Sequence, residues 1–115
     1  MVTDGRDSPA QWEWDVVQDR VTWSDDLYRM FGLEPREFRA SFQAYMERVH
    51  PADRERVRMV LSQALERGLT FEFEHRVLRP DGSIRELKCV GTTKRARNGQ
   101  PLRMTGTSVD VTADD

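Results

Sequence analysis

FEFEHRVLRPDGSIREL, residues 71–87, carries the clearest structural signal in the sequence. Phe71, Phe73, His75 and Val77 alternate with charged residues, and this period of two is typical of a half-buried β-strand. Pro80-Asp81-Gly82 follows, a turn sequence in which glycine accepts a positive φ. A second run, from Ile84 onward, resumes the strand pattern. The stretch therefore predicts a β-hairpin.

Strand and turn signals extend in both directions from this hairpin. Downstream, Asn98-Gly99 is a second tight-turn sequence. The C-terminal half is thus predicted to hold three strands, Leu69–Leu78, Ile84–Arg95 and Leu102–Val111. Upstream, Trp12, Trp14 and Val16 alternate with polar residues, and Val21 and Trp23 continue the pattern after Gln18-Asp19, which predicts a first hairpin. Of its three tryptophans, two are expected in the core.

Helical patterns fill the region between the two groups of strands. Ser24 is a candidate N-cap for a short helix that buries Leu27, Met30 and Phe31 and ends at Gly32. Residues 42–49 place apolar side chains at i, i+3, i+4 and i+7, which indicates a second helix. Pro51 suits the first position of a longer helix, which ends at Gly68. The order β-β-α-α-α-β-β-β predicts an α+β fold, with one antiparallel sheet and all helices on one face.

Composition narrows the class of protein. The 115 residues carry 18 Lys+Arg and 20 Asp+Glu, a net charge of −2, and one cysteine. This length predicts one domain, over residues 11–112, between a flexible segment 1–10 and the start of a linker at 113–115. A single cysteine excludes a disulfide scaffold, and nothing resembles a signal peptide, so we expect a cytoplasmic protein. Balanced charge predicts neither nucleic-acid nor membrane binding.

Four segments in order resemble the successive signatures of a PAS domain: WEWDVVQDRVTWSDDLYRMFGL, RVHPADRERV, FEFEHRVLRPDGSIREL and GTSVDVT. The resemblance implies a five-stranded sheet of order 2-1-5-4-3 that encloses an apolar pocket with its helices. It also implies a sensory or regulatory module of a sensor kinase, a cyclic-dinucleotide enzyme or a two-component system, coupled to an effector. PAS domains commonly pair, so we expect a weak homodimer through the outer sheet face, including Arg85, Val17 and the last strand.

Neither cofactor suggested by the resemblance is expected. Flavin-binding members that form a photo-adduct use an Asn-Cys-Arg-Phe motif, which is missing from the sequence, and Cys89 falls on a predicted strand as a small buried hydrophobe. Haem-binding members need a pocket-facing histidine on the long helix. His50 instead directly precedes Pro51 and is expected to cap the helix start. No metal-ligand spacing is present.

The predicted pocket faces the sheet between the helix stripes. His75 falls in an aromatic row, so its imidazole needs either a hydrogen bond within the protein or a ligand. We expect a small, mostly apolar ligand such as an aromatic acid or acyl chain, with His75 or Tyr45 contacting its polar group. The same residues could also pack into a filled core. The candidate lining residues are Trp23, Met30, Phe31, Phe42, Tyr45, Met46, Leu61, Phe73, His75 and Cys89.

The chain closes on Asp110-Val111-Thr112, which resembles the ending through which PAS domains pass a signal to a following helix. We therefore expect a binding module that relays a signal through its last strand and is not an enzyme. The alternative is a small α+β enzyme with His50 or His75 as general base and Asp53 or Glu74 as its orienter. The charged run 53–58 is expected to be a solvated helix face, with Glu55 paired to Arg58 at i, i+3.

Overall fold

The computed structural model describes residues 9–68 and 70–112. Over these residues the chain forms a five-stranded sheet and three α-helices, the last preceded by a short 3-10 turn at Pro51–Asp53. The elements are β1 Ala10–Asp15, β2 Arg20–Trp23, α1 Asp25–Met30, α2 Phe42–Arg48, α3 Arg54–Arg67, β3 Thr70–Leu78, β4 Ile84–Arg95 and β5 Pro101–Asp110.

The sheet has the order β2-β1-β5-β4-β3 with every neighbouring pair antiparallel, which confirms the predicted fold. One face of the sheet carries the core. Paired residues share a face, so Trp12, Gly106, Gly91 and Phe71 form one row across β1, β5, β4 and β3 on the helix side. The alternation in β3 and β4 that predicted these strands is the burial pattern observed.

Strand boundaries follow the prediction closely. β4 has the expected bounds, β5 is shifted by one residue, and β1 begins at Ala10 and ends at Asp15. Val16 therefore lies in the turn that joins β1 to β2 and not in the strand. Leu69, residues 1–8 of the expected flexible segment and the expected linker start at 113–115 lie outside the described residues.

Side-chain caps set the helix starts. Ser24 Oγ accepts a hydrogen bond from the Leu27 N–H at 3.3 Å, as predicted, and Ser41 Oγ accepts one from Ala44 N–H at 3.0 Å. The long helix does not begin at Pro51, as expected, but after the 3-10 turn, because the His50 ring caps that turn first. No helix among the described residues combines the length and the apolar character needed to cross a membrane.

Both predicted glycine turns are present. Gly82 in the β3–β4 turn and Gly99 in the β4–β5 turn have φ values of 88° and 89°. This is the left-handed region that side chains with a Cβ rarely adopt, so glycine fixes both hairpins at these points.

The outer sheet face differs from the expected one. Arg85 pairs in register with the fully buried Val77, so it lies on the helix side of the sheet, and Val17 lies in the β1–β2 turn. The prediction that these two residues form the outer face was wrong. That face carries instead the residues that alternate with the core rows, among them Val90, Thr105 and Thr107.

Candidate functional site

An apolar cavity of about 60 Å³ lies between the sheet and α1, α2 and α3. Its lining residues come from β1, β2, β3, β4 and β5 as well as from these helices, so the whole fold encloses it. The lining is formed by Trp12, Trp14, Val21, Trp23, Leu27, Phe31, Ser41, Phe42, Tyr45, Leu61, Phe73, Cys89, Met104 and Ser108.

Most of the candidate pocket residues lie in this lining. Trp23, Phe31, Phe42, Tyr45, Leu61, Phe73 and Cys89 face the cavity. Met30, Met46 and His75 are buried but are not part of the lining, because they pack into other parts of the core. The residues that line the cavity without having been candidates are Trp12, Trp14, Val21, Leu27, Ser41, Met104 and Ser108. The alternation of β5 was a usable signal for the last two, since both fall on its core face.

Aromatic rings make up much of the wall. Trp14 and Phe42 stack with their centroids 5.7 Å apart, and Trp23 meets Phe31 edge to face at 5.0 Å. Trp23 is buried, but Trp14 and Trp12 are only partly buried, so one tryptophan belongs to the inner core rather than the expected two. The stacked Trp14–Phe42 pair is thus a partly exposed portion of the cavity wall.

Two glycines make room for the indole of Trp12. Gly91 and Gly106 are paired across β4 and β5, and an added Cβ on either would meet the Trp12 ring. On Gly91 it would also meet the ring of Phe71, whose centroid is 6.2 Å from that of Trp12. The flat glycine surface thus lets both rings lie directly on the sheet beside the cavity.

A chain of buried polar side chains runs along one side of the cavity. His75 Nε2 lies 2.9 Å from the Tyr45 hydroxyl, and the Cys89 Sγ lies 3.6 Å from the same nitrogen. Cys89 Sγ is also 3.1 Å from Ser108 Oγ. His75 Nδ1 faces the Arg76 carbonyl at 3.3 Å, so Nδ1 carries the proton and Nε2 accepts from Tyr45. The polar partner that the sequence required for His75 is thus Tyr45.

Burial keeps this chain electrically neutral. It lowers the pKa of His75 to about 4, raises the pKa of Cys89 to about 11 and raises the pKa of Tyr45 well above its ordinary value. None of the cavity-lining residues is Asp, Glu, Lys or Arg. The cavity thus offers apolar surface and neutral hydroxyl and thiol groups, and it offers no counter-ion to a charged ligand.

His75 should make the protein sensitive to mild acid. Its folded pKa of about 4 lies below the unfolded value of 6.5, so the unfolded chain binds more protons between these values. We expect the free energy of unfolding to fall by about 2 kcal/mol between pH 7 and pH 5. Urea titrations at both pH values measure this loss.

The double variant Tyr45→Phe/His75→Leu is the control for this pH effect, because it removes the imidazole together with its hydroxyl donor. Its stability should change much less over the same pH interval. A wild-type protein equally stable at pH 7 and pH 5 would contradict the prediction.

The end of β5 is held by a separate set of contacts. Asp110 accepts hydrogen bonds from Arg85 Nε at 2.8 Å and from the Thr112 N–H at 2.9 Å. Thr112 Oγ1 accepts from the Glu86 N–H at 2.7 Å. Burial alone would raise the pKa of Asp110, but the bonds from Arg85 and Thr112 outweigh it and lower that pKa. We call Arg85, Asp110 and Thr112 the exit clamp.

Asp53 was predicted to be solvated, but in the structure its carboxylate is buried and bound to another residue. It is 7% exposed, and its carboxylate accepts bonds from the Arg76 N–H, Nη2 and Nε at 2.8, 2.8 and 3.1 Å. These bonds hold the pKa of Asp53 well below its usual range. The run 53–58 was therefore wrongly predicted to be solvated throughout, although the Glu55–Arg58 pair is confirmed at 3.1 Å.

The two histidines that the alternative enzyme hypothesis names as general bases are each engaged in local structure. His50 Nδ1 accepts a hydrogen bond from the Ala52 N–H at 3.1 Å, the capping role that the sequence predicted. His75 and Glu74 point to opposite faces of β3. Among residues 9–68 and 70–112, no group of three or more His, Cys, Asp or Glu side chains is placed to hold a metal ion.

Comparison with known proteins agrees with this architecture. Residues 20–108 match the PAS fold family, and the chain belongs to it. The probable diguanylate cyclase DgcE of Escherichia coli (strain K12) is 25% identical over 101 residues, which are 88% of this chain and 9% of that protein. This chain therefore corresponds to a small part of that relative.

Two solved structures show the same fold. A sensory box histidine kinase/response regulator from Burkholderia thailandensis E264 is 30% identical, with a TM-score of 0.78 over 90% of this chain and 77% of that chain. The N-terminal domain of a diguanylate cyclase with PAS/PAC sensor from Marinobacter aquaeolei is 20% identical, with a TM-score of 0.82 over 91% of this chain and 96% of that chain. The chain is thus a PAS domain, and it is similar to domains of a sensory box histidine kinase and of diguanylate cyclases.

Proposed function

We propose that this PAS domain binds a small, uncharged, mostly apolar molecule in the aromatic cavity and relays its presence through β5. The supporting observation is that β5 contributes residues both to the cavity lining and to the exit clamp. Met104 and Ser108 line the cavity, and Asp110, two residues after Ser108, belongs to the exit clamp. A displacement of β5 at the cavity would therefore reach the clamp along one rigid strand.

The size of the cavity limits which ligands fit without a movement of side chains. At about 60 Å³ it is smaller than the roughly 150 Å³ that holds a benzene molecule in an engineered protein cavity. A ligand of more than a few atoms must therefore move side chains, and the partly buried Trp14–Phe42 stack is one part of the wall that can move. The neutral lining favours an uncharged ligand over the aromatic acid that the sequence suggested.

Indole and indole-3-carboxylate test this proposal as a matched neutral and charged pair. Indole should raise Tm by about 5 °C at ten times its Kd, and the carboxylate should raise it much less. Val21→Phe places a ring in the cavity lining and should abolish the indole effect. Val17→Phe, the same change at an exposed turn position, should preserve it.

Three results would contradict the proposal: no stabilisation by indole, equal stabilisation by the carboxylate, or an indole effect that survives Val21→Phe. The first would leave a PAS domain with a filled core that acts only by pairing with itself or with another protein.

Asp110→Ala should separate binding from relay. In the wild-type protein, indole should shift the backbone amide signals of Val111 and Thr112 in an NMR titration. The variant should bind indole with unchanged affinity while these two signals no longer respond, because the bonds from Arg85 and Thr112 are lost. Full response at Val111 and Thr112 in the variant would argue against relay through the exit clamp.

The proposed partner is an effector, a kinase, cyclase or similar output unit, since relatives of this chain carry those names. We propose a cytoplasmic setting and a weak homodimer, without nucleic-acid or membrane binding. We further propose that the domain catalyses no reaction and holds neither haem nor flavin. Both ring nitrogens of His75 and Nδ1 of His50 make hydrogen bonds within the protein, which supports a binding role over general-base catalysis.

A further inference from the structure

The two edge strands of the sheet, β2 and β3, differ in how far their free backbone groups are hydrogen-bonded. The free edge of β3 is covered over its second half: its Arg76 carbonyl accepts from the His50 N–H at 2.8 Å, its Arg76 N–H donates to Asp53, and its Glu74 carbonyl accepts from Arg56 at 2.7 Å. No comparable cover lies along β2 among the described residues. β2 is thus an edge at which a further strand could pair.

The register shows which backbone groups of β2 are free. The Ser24 N–H donates to the Gln11 carbonyl at 2.9 Å, so hydrogen-bonded pairs alternate along β1 and β2 from this point. Thr22 therefore points its backbone groups toward β1. Val21 and Trp23 point theirs away from the sheet, and within residues 9–68 and 70–112 these groups have no hydrogen-bond partner.

A groove of about 400 Å³ runs beside this edge. Its opposite wall is the segment 36–40. Within that wall, Phe38 is held in place by several contacts. The Phe38 carbonyl accepts from the Tyr28 hydroxyl at 2.9 Å, its ring meets Trp23 edge to face at 5.8 Å, and the Arg48 guanidinium lies 4.3 Å from its centroid. The groove is therefore preformed, which reduces the entropy lost on binding.

The charged side chains along the groove indicate which kind of partner it binds. Arg36 and Arg39 line it, both are exposed, and neither makes an ion pair within the described part of the chain. Among the described residues, Asp25 is the one carboxylate in the lining. Pairing with a second copy through this edge would bring two such arginine walls together, which like-charge repulsion disfavours.

We propose that the free edge of β2 binds an extended acidic segment of a partner protein, which adds a strand beside β2 while its carboxylates contact Arg36 and Arg39. The backbone of Val21 and Trp23 supplies the hydrogen bonds, and the arginines supply the preference for acidic side chains. Val21 and Trp23 line both the groove and the cavity, but the proposed strand uses their outward backbone groups, so it does not depend on the ligand proposed above.

A library of random decapeptides selected on the purified protein is the probe. Enriched peptides should be acidic and free of proline in their central residues. On binding, such a peptide should shift the Val21 and Trp23 amide signals and protect both amides from hydrogen exchange. A selection that yields no peptide acting on these two amides would overturn the proposal.

Two variants test the roles of the β2 backbone and of the two arginines in peptide binding, and a third variant is the control. Val21→Pro removes an N–H that faces away from β1, a position where an edge strand tolerates proline, and should weaken peptide binding at least tenfold. Arg36→Glu/Arg39→Glu should do the same, whereas Arg97→Glu, an equally exposed position in the β4–β5 turn, should change Kd less than twofold. Binding that survives both variants would overturn the proposal.

Hydrogen exchange of the protein without peptide distinguishes the other possible occupants of this edge, a segment of the same chain and a second copy. If the Val21 and Trp23 amides were already protected at low protein concentration, a segment of the same chain would cover the edge. If their protection grew with protein concentration, a second copy would cover it. Either result would overturn the proposal, and an unprotected edge at all concentrations supports it.

Discussion

Gly106→Ala should lower the free energy of unfolding by about 3 kcal/mol, at the upper end of what overpacking usually costs. The added Cβ would lie closer than 3.0 Å to the Val90 backbone oxygen and to the Trp12 indole. The indole can move, but the Val90 carbonyl belongs to the neighbouring strand, so β4 and β5 must separate locally. Chemical denaturation of the variant measures the effect.

Gly91→Ala is the matched control, since Gly91 is the cross-strand partner of Gly106. The three atoms nearest to its added Cβ all belong to side-chain rings, those of Phe71 and Trp12. It should therefore cost about 1–2 kcal/mol, and part of this cost should disappear in combination with Phe71→Ala. A Gly106→Ala variant no less stable than Gly91→Ala would contradict the distinction between backbone and side-chain obstruction.

Local pattern explains how much of the fold could be predicted. β4 was predicted with its observed bounds because it lies between two turn sequences that contain Gly82 and Gly99, and each of these signals is local. The start of the long helix was missed because Pro51 fits a 3-10 turn as well as a first helical position. The cap from the His50 side chain selects the turn.

The candidate site could be predicted only in part. Periodicity places Met30, Met46 and His75 in the core, and all three are buried there. It does not state which side of the core faces the cavity, because that depends on how the helices lie over the sheet. His75 reaches Tyr45, a residue 30 positions away on α2, and no local pattern encodes such a pair.

Asp53 shows the same limit most clearly. In the sequence it stands among charged residues that favour a solvated helix face, and it occupies the position just before α3 where a side-chain cap is usual. Its carboxylate makes no such cap and reaches instead to Arg76, 23 residues away on β3. The contact fastens the 3-10 turn and the start of α3 to the edge of the sheet.

Asp53→Ala should therefore lower the free energy of unfolding by about 2–3 kcal/mol. The variant loses charge-assisted hydrogen bonds and leaves the Arg76 N–H at the sheet edge without its acceptor. Glu55→Ala removes a carboxylate two residues away that pairs with Arg58 on the exposed helix surface, and it should cost less than 0.5 kcal/mol. Denaturant titrations of the two variants side by side give the comparison.

The pH dependence provides an independent check on Asp53. Its pKa is lower in the folded protein than the ordinary value of 3.8, so its contribution is fully present above about pH 4 and is lost as the pH falls through the folded pKa. Below pH 4 the wild-type protein should therefore lose stability more steeply than Asp53→Ala, which has no such carboxylate to protonate. Equal slopes below pH 4, or an Asp53→Ala variant as stable as Glu55→Ala, would mean that the contact with Arg76 does not hold α3 to the sheet.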